Sequence, residues 1–268
     1  MKKKTIILFW TLAVIITLSA SIYQRKTGPT IEKKTIVSLN NKEYKLSFPR
    51  SASEDKNTIN LNIEDTSIKA TLIYRKYPTN DKFTELNFQR KGNNLLVSLP
   101  VQPKAGKLEY YIKLNDKLIF QQEPLIIRFK GNVPLGALIP HALLMFISML
   151  FASYGLILTI ANKPNLKPYI ILTITTLLVG GFVFGPIVQK YAFGVYWSGF
   201  PYGYDLTDNK TLIALVSLLL LTLPFLKKKI LRYTSMVAFI IMISIFCIPH
   251  SLRGSELNQK TGIVETSK

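Results

Sequence analysis

Apolar and polar positions fall into three regimes along this chain. Behind a basic start, Met1-Lys2-Lys3-Lys4, residues 5–22 form an uncharged apolar run. Residues 25–132 are polar on average and contain short stretches of alternation; in Ile59-Asn60-Leu61-Asn62-Ile63 the apolar side chains fall on one face and the polar ones on the other. That period of two is the pattern of a half-buried strand. Beyond residue 132 come four long apolar segments, 138–161, 169–188, 211–225 and 233–248.

The alternating region predicts strands at 34–39, 43–48, 58–63, 68–74, 84–88, 95–99, 108–114, 117–120 and 125–129. Turn chemistry separates them: Asn40-Asn41, Pro78-Thr79-Asn80-Asp81, Gly92-Asn93-Asn94, Pro103-Lys104-Ala105-Gly106 and Asn115-Asp116. No amphipathic pattern of helical length intervenes, so an antiparallel β-sandwich is expected. Tyr74, then Leu99-Pro100 before a glycine-containing turn, then Tyr110-Tyr111-Ile112 carry a resemblance to immunoglobulin-like or fibronectin-type-III-like modules of bacterial envelope proteins. It is a likeness of fold and implies no catalytic residue.

The apolar segments are long enough, or nearly so, to cross a bilayer core that needs about 20 helical residues. The expected architecture is a mixed membrane protein: an N-terminal transmembrane anchor or cleaved signal segment (1–24), an extracytoplasmic β-sandwich (25–132), four transmembrane helices (133–252) and an extracytoplasmic tail (253–268). Ser19-Ala20-Ser21 offers a small-residue cleavage site, and the length of the run suits an uncleaved anchor; both readings stay open. With the N-terminus cytoplasmic, Lys163, Lys167, Lys227, Lys228, Lys229 and Arg232 all fall in cytoplasmic loops that contain no Asp or Glu. The chain is then a multi-pass protein of the bacterial inner membrane, with the β module and C-terminus outside. The 181–185 glycine pair predicts close helix contact, and Pro186 and Pro224 predict kinks or early helix ends.

Charge changes one inference. The net charge of +19 would point a soluble protein toward nucleic acid, yet many of these cations flank apolar runs, where they set orientation and meet anionic lipid. No nucleic-acid motif is present, and the bilayer and an envelope or membrane protein are the expected partners. Cys247 is the single cysteine, which excludes an internal disulfide. The serine-hydrolase elbow, zincin, P-loop, haem-attachment and dinucleotide motifs are all missing, which disfavours an enzyme.

Candidate chemistry gathers in the loop 190–210, an outer loop in this topology. It is dense in aromatics and glycines and ends in Asp205-Leu206-Thr207-Asp208-Asn209-Lys210. Both histidines fall at the same membrane edge, each after the same residues: Ile139-Pro140-His141 and Ile248-Pro249-His250. Imidazoles from two helices at one depth suit a haem iron, or with Asp205 and Asp208 a divalent metal. Trp197, Lys210, Arg253 and Glu256 complete a possible outer-face site. A structural reading accounts for the same residues: Tyr191, Tyr196, Trp197, Tyr202 and Tyr204 as an aromatic belt, Asp208 as the cap of the helix starting near Thr211, Asp205 beside the same helix end, and Pro before His as a helix boundary.

The pattern AFGxYWxGxPxGxDLTDNKTL over 192–212, together with Ile248-Pro249-His250-Ser251-Leu252 and Gly254-Ser255-Glu256, resembles a set of uncharacterised bacterial inner-membrane proteins. The resemblance spans the C-terminal half and implies an architecture without an assigned activity. Three functions follow as expectations: a non-enzymatic envelope binding or scaffold protein, a haem- or metal-binding redox membrane protein, and a transporter or transporter subunit.

Overall fold

A computed structural model describes residues 1–115, 117–223, 226–250 and 252–266. Asp116 of the predicted turn, Pro224 and Phe225 at the end of the third apolar segment, Ser251, and the last two residues of the tail lie outside the described residues.

The polar region is built from β1 (Lys33–Leu39), β2 (Lys42–Phe48), β3 (Ser51–Ala52), β4 (Thr58–Asn62), β5 (Ala70–Tyr77), β6 (Thr84–Asn87), β7 (Gln89–Lys91), β8 (Asn94–Ser98), β9 (Lys107–Leu114), β10 (Lys117–Ile119) and β11 (Leu125–Phe129). Each of the nine predicted strands is present; β3 and β7 are additional. Alternation drives the pairing. In β4 the residues run exposed, buried, exposed, buried, exposed, and its partner β8 matches it in register, with Ile59 opposite Val97 and Leu61 opposite Leu95. The β1–β2 hairpin closes on Asn40 and Asn41, both at positive φ (47° and 60°), the geometry that suits strand twist in a two-residue turn.

The largest sheet runs β3-β11-β9-β5-β6, with β10 also on β9; β4-β8-β7 and β1-β2 form two smaller sheets. All pairings are antiparallel except β3 with β11. One apolar core unites the three sheets. Phe48, Ile59, Leu72, Tyr110, Ile112 and Ile127 are fully enclosed within it, and the Tyr110 hydroxyl donates to the Pro49 carbonyl at 2.7 Å.

The described residues also form six α-helices: α1 (Lys3–Lys26), α2 (Leu135–Ile160), α3 (Lys167–Leu177), α4 (Gly185–Phe193), α5 (Leu206–Leu221) and α6 (Lys228–Cys247). Residues Leu178–Phe184 form a π-helical stretch that makes α3 and α4 one continuous rod. Among the described residues, four helices are long and apolar enough to cross a membrane: α1, α2, the α3–α4 rod and α6. At 16 residues α5 is shorter, spanning about 24 Å at the helical rise.

Two packing features go beyond the sequence expectation. First, α1 is part of the bundle. It packs against α2 and α6: Trp10 stacks on Tyr154 with ring centroids 4.1 Å apart, and the Thr17 hydroxyl bonds to Ser153. Gln24, in the last turn of α1, donates to the carbonyl of Phe246 in the last turn of α6 and to that of Ile248 just beyond it. Second, Pro186 neither ends nor breaks its helix. Its missing N–H and its ring are incompatible with a regular turn before it, and the π stretch widens that turn. The glycine approach is at Gly180 and Gly181: a Cβ at Gly180 would lie 2.8 Å from Leu144 on α2, and one at Gly181 2.8 Å from Thr211 on α5.

The same reasoning isolates Gly155 at the α2–α6 crossing, where a Cβ would lie 2.6 Å from the Phe239 ring; at Gly136 on the same helix it would meet nothing. Gly155→Val is expected to destabilise the purified protein by about 1–3 kcal/mol through overpacking. Gly136→Val should leave the thermal unfolding midpoint close to that of the wild type. Thermal unfolding in detergent, read by tryptophan fluorescence, checks the pair.

Candidate functional site

The rod ends at Phe193, where Gly194 takes a left-handed φ of 88° and its N–H bonds back to Lys190. The loop from there to α5 folds onto the first turn of α5, and two carboxylates hold it. Asp205 is the N-cap: its Oδ1 accepts from the N–H groups of Thr207 (2.8 Å) and Asp208 (3.4 Å), taking up donors that a helix start leaves unpaired. The cap lies three residues before the position expected from the apolar pattern, because the first turn of α5 is polar and its apolar run begins only at Thr211.

Asp208 instead reaches back to the loop. Its Oδ2 accepts from the N–H groups of Ser198 (2.7 Å) and Gly199 (3.1 Å), from the Ser198 hydroxyl, and from Gln189 Nε2 (3.0 Å). Close approach requires glycine here: a Cβ on Gly199 would lie 2.6 Å from the Asp208 Cβ. Asn209 Oδ1 adds a bond from the Phe200 N–H at 2.6 Å.

The second oxygen of Asp205 binds the C-terminal tail, accepting from the Ser255 N–H at 2.9 Å and from the Ser255 hydroxyl at 3.2 Å. Ser255 and Ser198 join the two carboxylates through hydroxyls 3.0 Å apart. The expected tail is a hairpin, β12 (Ser255–Leu257) paired with β13 (Val264–Thr266). The Thr266 hydroxyl donates to the Ser198 carbonyl and accepts from the Tyr204 N–H, closing the loop from the other side.

The β module joins this node through Arg128 of β11. Its guanidinium lies over the Phe193 ring, 3.8 Å from the centroid, and donates to the Ser255 carbonyl. Burial pulls it down to about 10, opposed by the negative charges of Asp205 and Glu256, so it stays charged at neutral pH. Glu256 itself forms a 2.5 Å ion pair with Lys107 of β9, and the Leu257 N–H bonds to the Ala105 carbonyl. Gly131 donates to the Ala192 carbonyl at the end of α4. Loop, helix, hairpin and β module are thus tied at one place.

The other sequence candidates surround this node. Lys210 is buried and donates to the Ile248 carbonyl at 2.7 Å. His141 Nδ1 lies 2.8 Å from the Gly180 carbonyl in the π stretch. His250 is exposed, within electrostatic range of both Lys210 and His141. Arg253 is exposed, and its carbonyl accepts from the Leu206 N–H. Trp197 stacks on Phe182 and donates to the Phe200 carbonyl; Tyr202 and Tyr204 are 84% and 81% exposed. Among the described residues no three His, Cys, Asp or Glu side chains are grouped so as to hold a metal ion.

Sequence reasoning did not single out Arg128, Gln189, Ser198 or Ser255. Only Arg128 left a signal: a cation inside the apolar strand Leu-Ile-Ile-Arg-Phe, buried where alternation would predict an exposed position.

Asp205→Ala removes the cap and the oxygen that accepts both bonds from Ser255. It is expected to cost about 1–2 kcal/mol locally and to speed tryptic cleavage after Arg253 several-fold. Asp205→Asn, which keeps a capping oxygen, should lie between that variant and the wild type, as mass spectrometry of the released peptide will report. Comparison with protein-family models, curated proteins and solved structures finds no match to this chain.

Proposed function

We propose that this is a multi-pass bacterial inner-membrane protein that presents an immunoglobulin-like module outside the membrane as a non-enzymatic binding or scaffold surface. The carrying observation is the closure of the Asp205–Asp208 node. Its carboxylates accept from backbone and side-chain donors of the loop, α5 and the tail, which suits a joint that fixes the module on the bundle more than a reactive site.

Several features support the finer points. Lys163, Lys167, Lys228, Lys229 and Arg232 cluster at the end of the bundle away from the β module, as expected if that end is cytoplasmic. The packing of α1 against α2 and α6 supports a retained anchor over a cleaved leader. Antiparallel sheets closing on one core support the sandwich reading. The loop pattern at 192–212 supports membership in the inner-membrane set it resembles.

A second reading has one observation in its favour. If His141 Nδ1 carries the proton bonded to Gly180, its Nε2 is left as a free lone pair, the form that ligates haem iron or a metal, with His250 nearby.

Two measurements test these readings. In a Cys247→Ser background, a membrane-impermeant thiol reagent applied to intact spheroplasts should label Tyr202→Cys and leave Lys229→Cys unlabelled; the reverse pattern would overturn the topology. Tyr202 is preferred to its neighbour because a Cβ at Gly203 would lie 2.5 Å from the Ser198 carbonyl oxygen. The purified protein should show neither a Soret band nor stoichiometric metal, and His141→Ala and His250→Ala should behave like wild type. A Soret band or bound metal lost in either variant would favour the second reading.

A further inference from the structure

At the end of the bundle opposite the β module, the α2–α3 turn and the start of α6 border an open cavity of about 640 Å³ lined by Lys228, Lys229, Arg232, Asn162, Pro164 and Tyr233. A second cavity of about 360 Å³ adjoins it through Pro164, Lys228 and Arg232, and adds Lys163, Lys167 and the apolar side chains of Leu166, Leu226 and Leu231. The lining contains five cations and no carboxylate. None of these cations forms an ion pair among the described residues.

Solvated lysines flanking a span explain exposed Lys228 and Lys229, but they do not explain Arg232. Its Nη2 is fixed to the Lys163 carbonyl at 3.0 Å, while its Nη1 is buried with no hydrogen-bond partner. A buried donor left unpaired is costly, and an acceptor that reached Nη1 beside this basic lining would remove that cost. The backbone points the same way. Helix α6 starts at Lys228, and its N-cap Lys227 makes no side-chain capping bond, so this helix N-terminus brings first-turn N–H groups and a positive dipole end to the cavity rim. Asn162 and Asn165 hold the α2–α3 turn in place with positive φ of 53° and 66°.

We propose that this basic cavity binds a phosphate-ester anion, held by Arg232, Lys228 and Lys229. Arg232 offers the free guanidinium arm, the lysines supply charge, and the start of α6 supplies backbone donors. The apolar flank at Leu166, Leu226 and Leu231 lies directly beside the cationic part, the arrangement an anionic phospholipid would meet with its headgroup and chains. A soluble phosphate compound shares the headgroup chemistry without using that flank. The inference rests on the cavity alone and holds for either sidedness of the membrane.

Native mass spectrometry of the full chain, released from detergent containing equal phosphatidylglycerol and phosphatidylcholine, tests the site. Selective retention of phosphatidylglycerol is expected, with Arg232→Gln and Lys229→Gln each lowering its occupancy about tenfold, the loss of one charge-assisted bond. Lys45→Gln, an exposed cation on β2, should retain the lipid as wild type does. In a parallel arm, inorganic phosphate is titrated against the thermal midpoint of delipidated protein. Saturable stabilisation by phosphate that both variants lose, without lipid selectivity, assigns the site to a soluble phosphate compound. Equal retention of the two lipids with no effect of phosphate overturns the proposal. So does unchanged phosphatidylglycerol retention in Lys229→Gln, whose exposed side chain makes it a variant that folds even if Arg232→Gln does not.

Discussion

Unpaired backbone N–H groups at the start of α5 set the constraint around which this molecule is arranged. A helix N-terminus buried against other chain segments must find acceptors for its free donors. Asp205 supplies them with one oxygen and gives its second to the tail, while Asp208, a turn later, does the same for the loop backbone at Ser198 and Gly199. Buried carboxylates are tolerated only when hydrogen-bonded and balanced by positive charge. Here the backbone and serine hydroxyls meet the first need for both carboxylates, and Arg128 and Lys210 meet the second for Asp205. Arg128 belongs to the β module, so satisfying Asp205 at the bundle also docks the module.

This arrangement joins two bodies that fold by different rules. The β module buries residues of its strands in its own core, alternate ones in strands such as β4 and β8; the helices bury small residues at close crossings, with Gly155 against Phe239 and Gly180 against Leu144. Neither principle by itself fixes how the two sit together. The few polar bonds through Arg128, Gly131, Ala105 and the Lys107–Glu256 pair do so. The basic end of the bundle has the opposite character: among the described residues its cations have no carboxylate partners, and its helix starts have no side-chain cap. One end is closed by internal bonds, and the other is left open to an anion.

The strands were legible because alternation and turn residues agree, as in β4 and in the Asn40-Asn41 hairpin. Strands of two or three residues, such as β3, β7, β12 and β13, are too short to carry a period, and the pattern therefore predicts no strand in the tail. The apolar run of α1 is apolar on all sides, so no face announced its packing on α2 and α6. The π stretch left only Pro186 as a trace. In the site, Asp205 and Asp208 stood out as charges beside a membrane segment. Their roles were exchanged because the polar first turn of α5 hid the helix start from a reading based on apolar onset. Ser198 and Ser255 carry no signal as residue types; only the folded loop and hairpin bring their hydroxyls together.

The most direct test of the joint is a distance measurement by pulsed electron resonance between spin labels at Lys45→Cys on the β module and Lys229→Cys on the bundle, in a Cys247→Ser background. A rigid joint predicts one narrow distance distribution in the otherwise unaltered protein. It also predicts a broad one when Asp205→Ala and Asp208→Ala are combined, with the helices still folded. A broad distribution already present before the aspartates are changed, or a narrow one that survives their loss, would contradict the account.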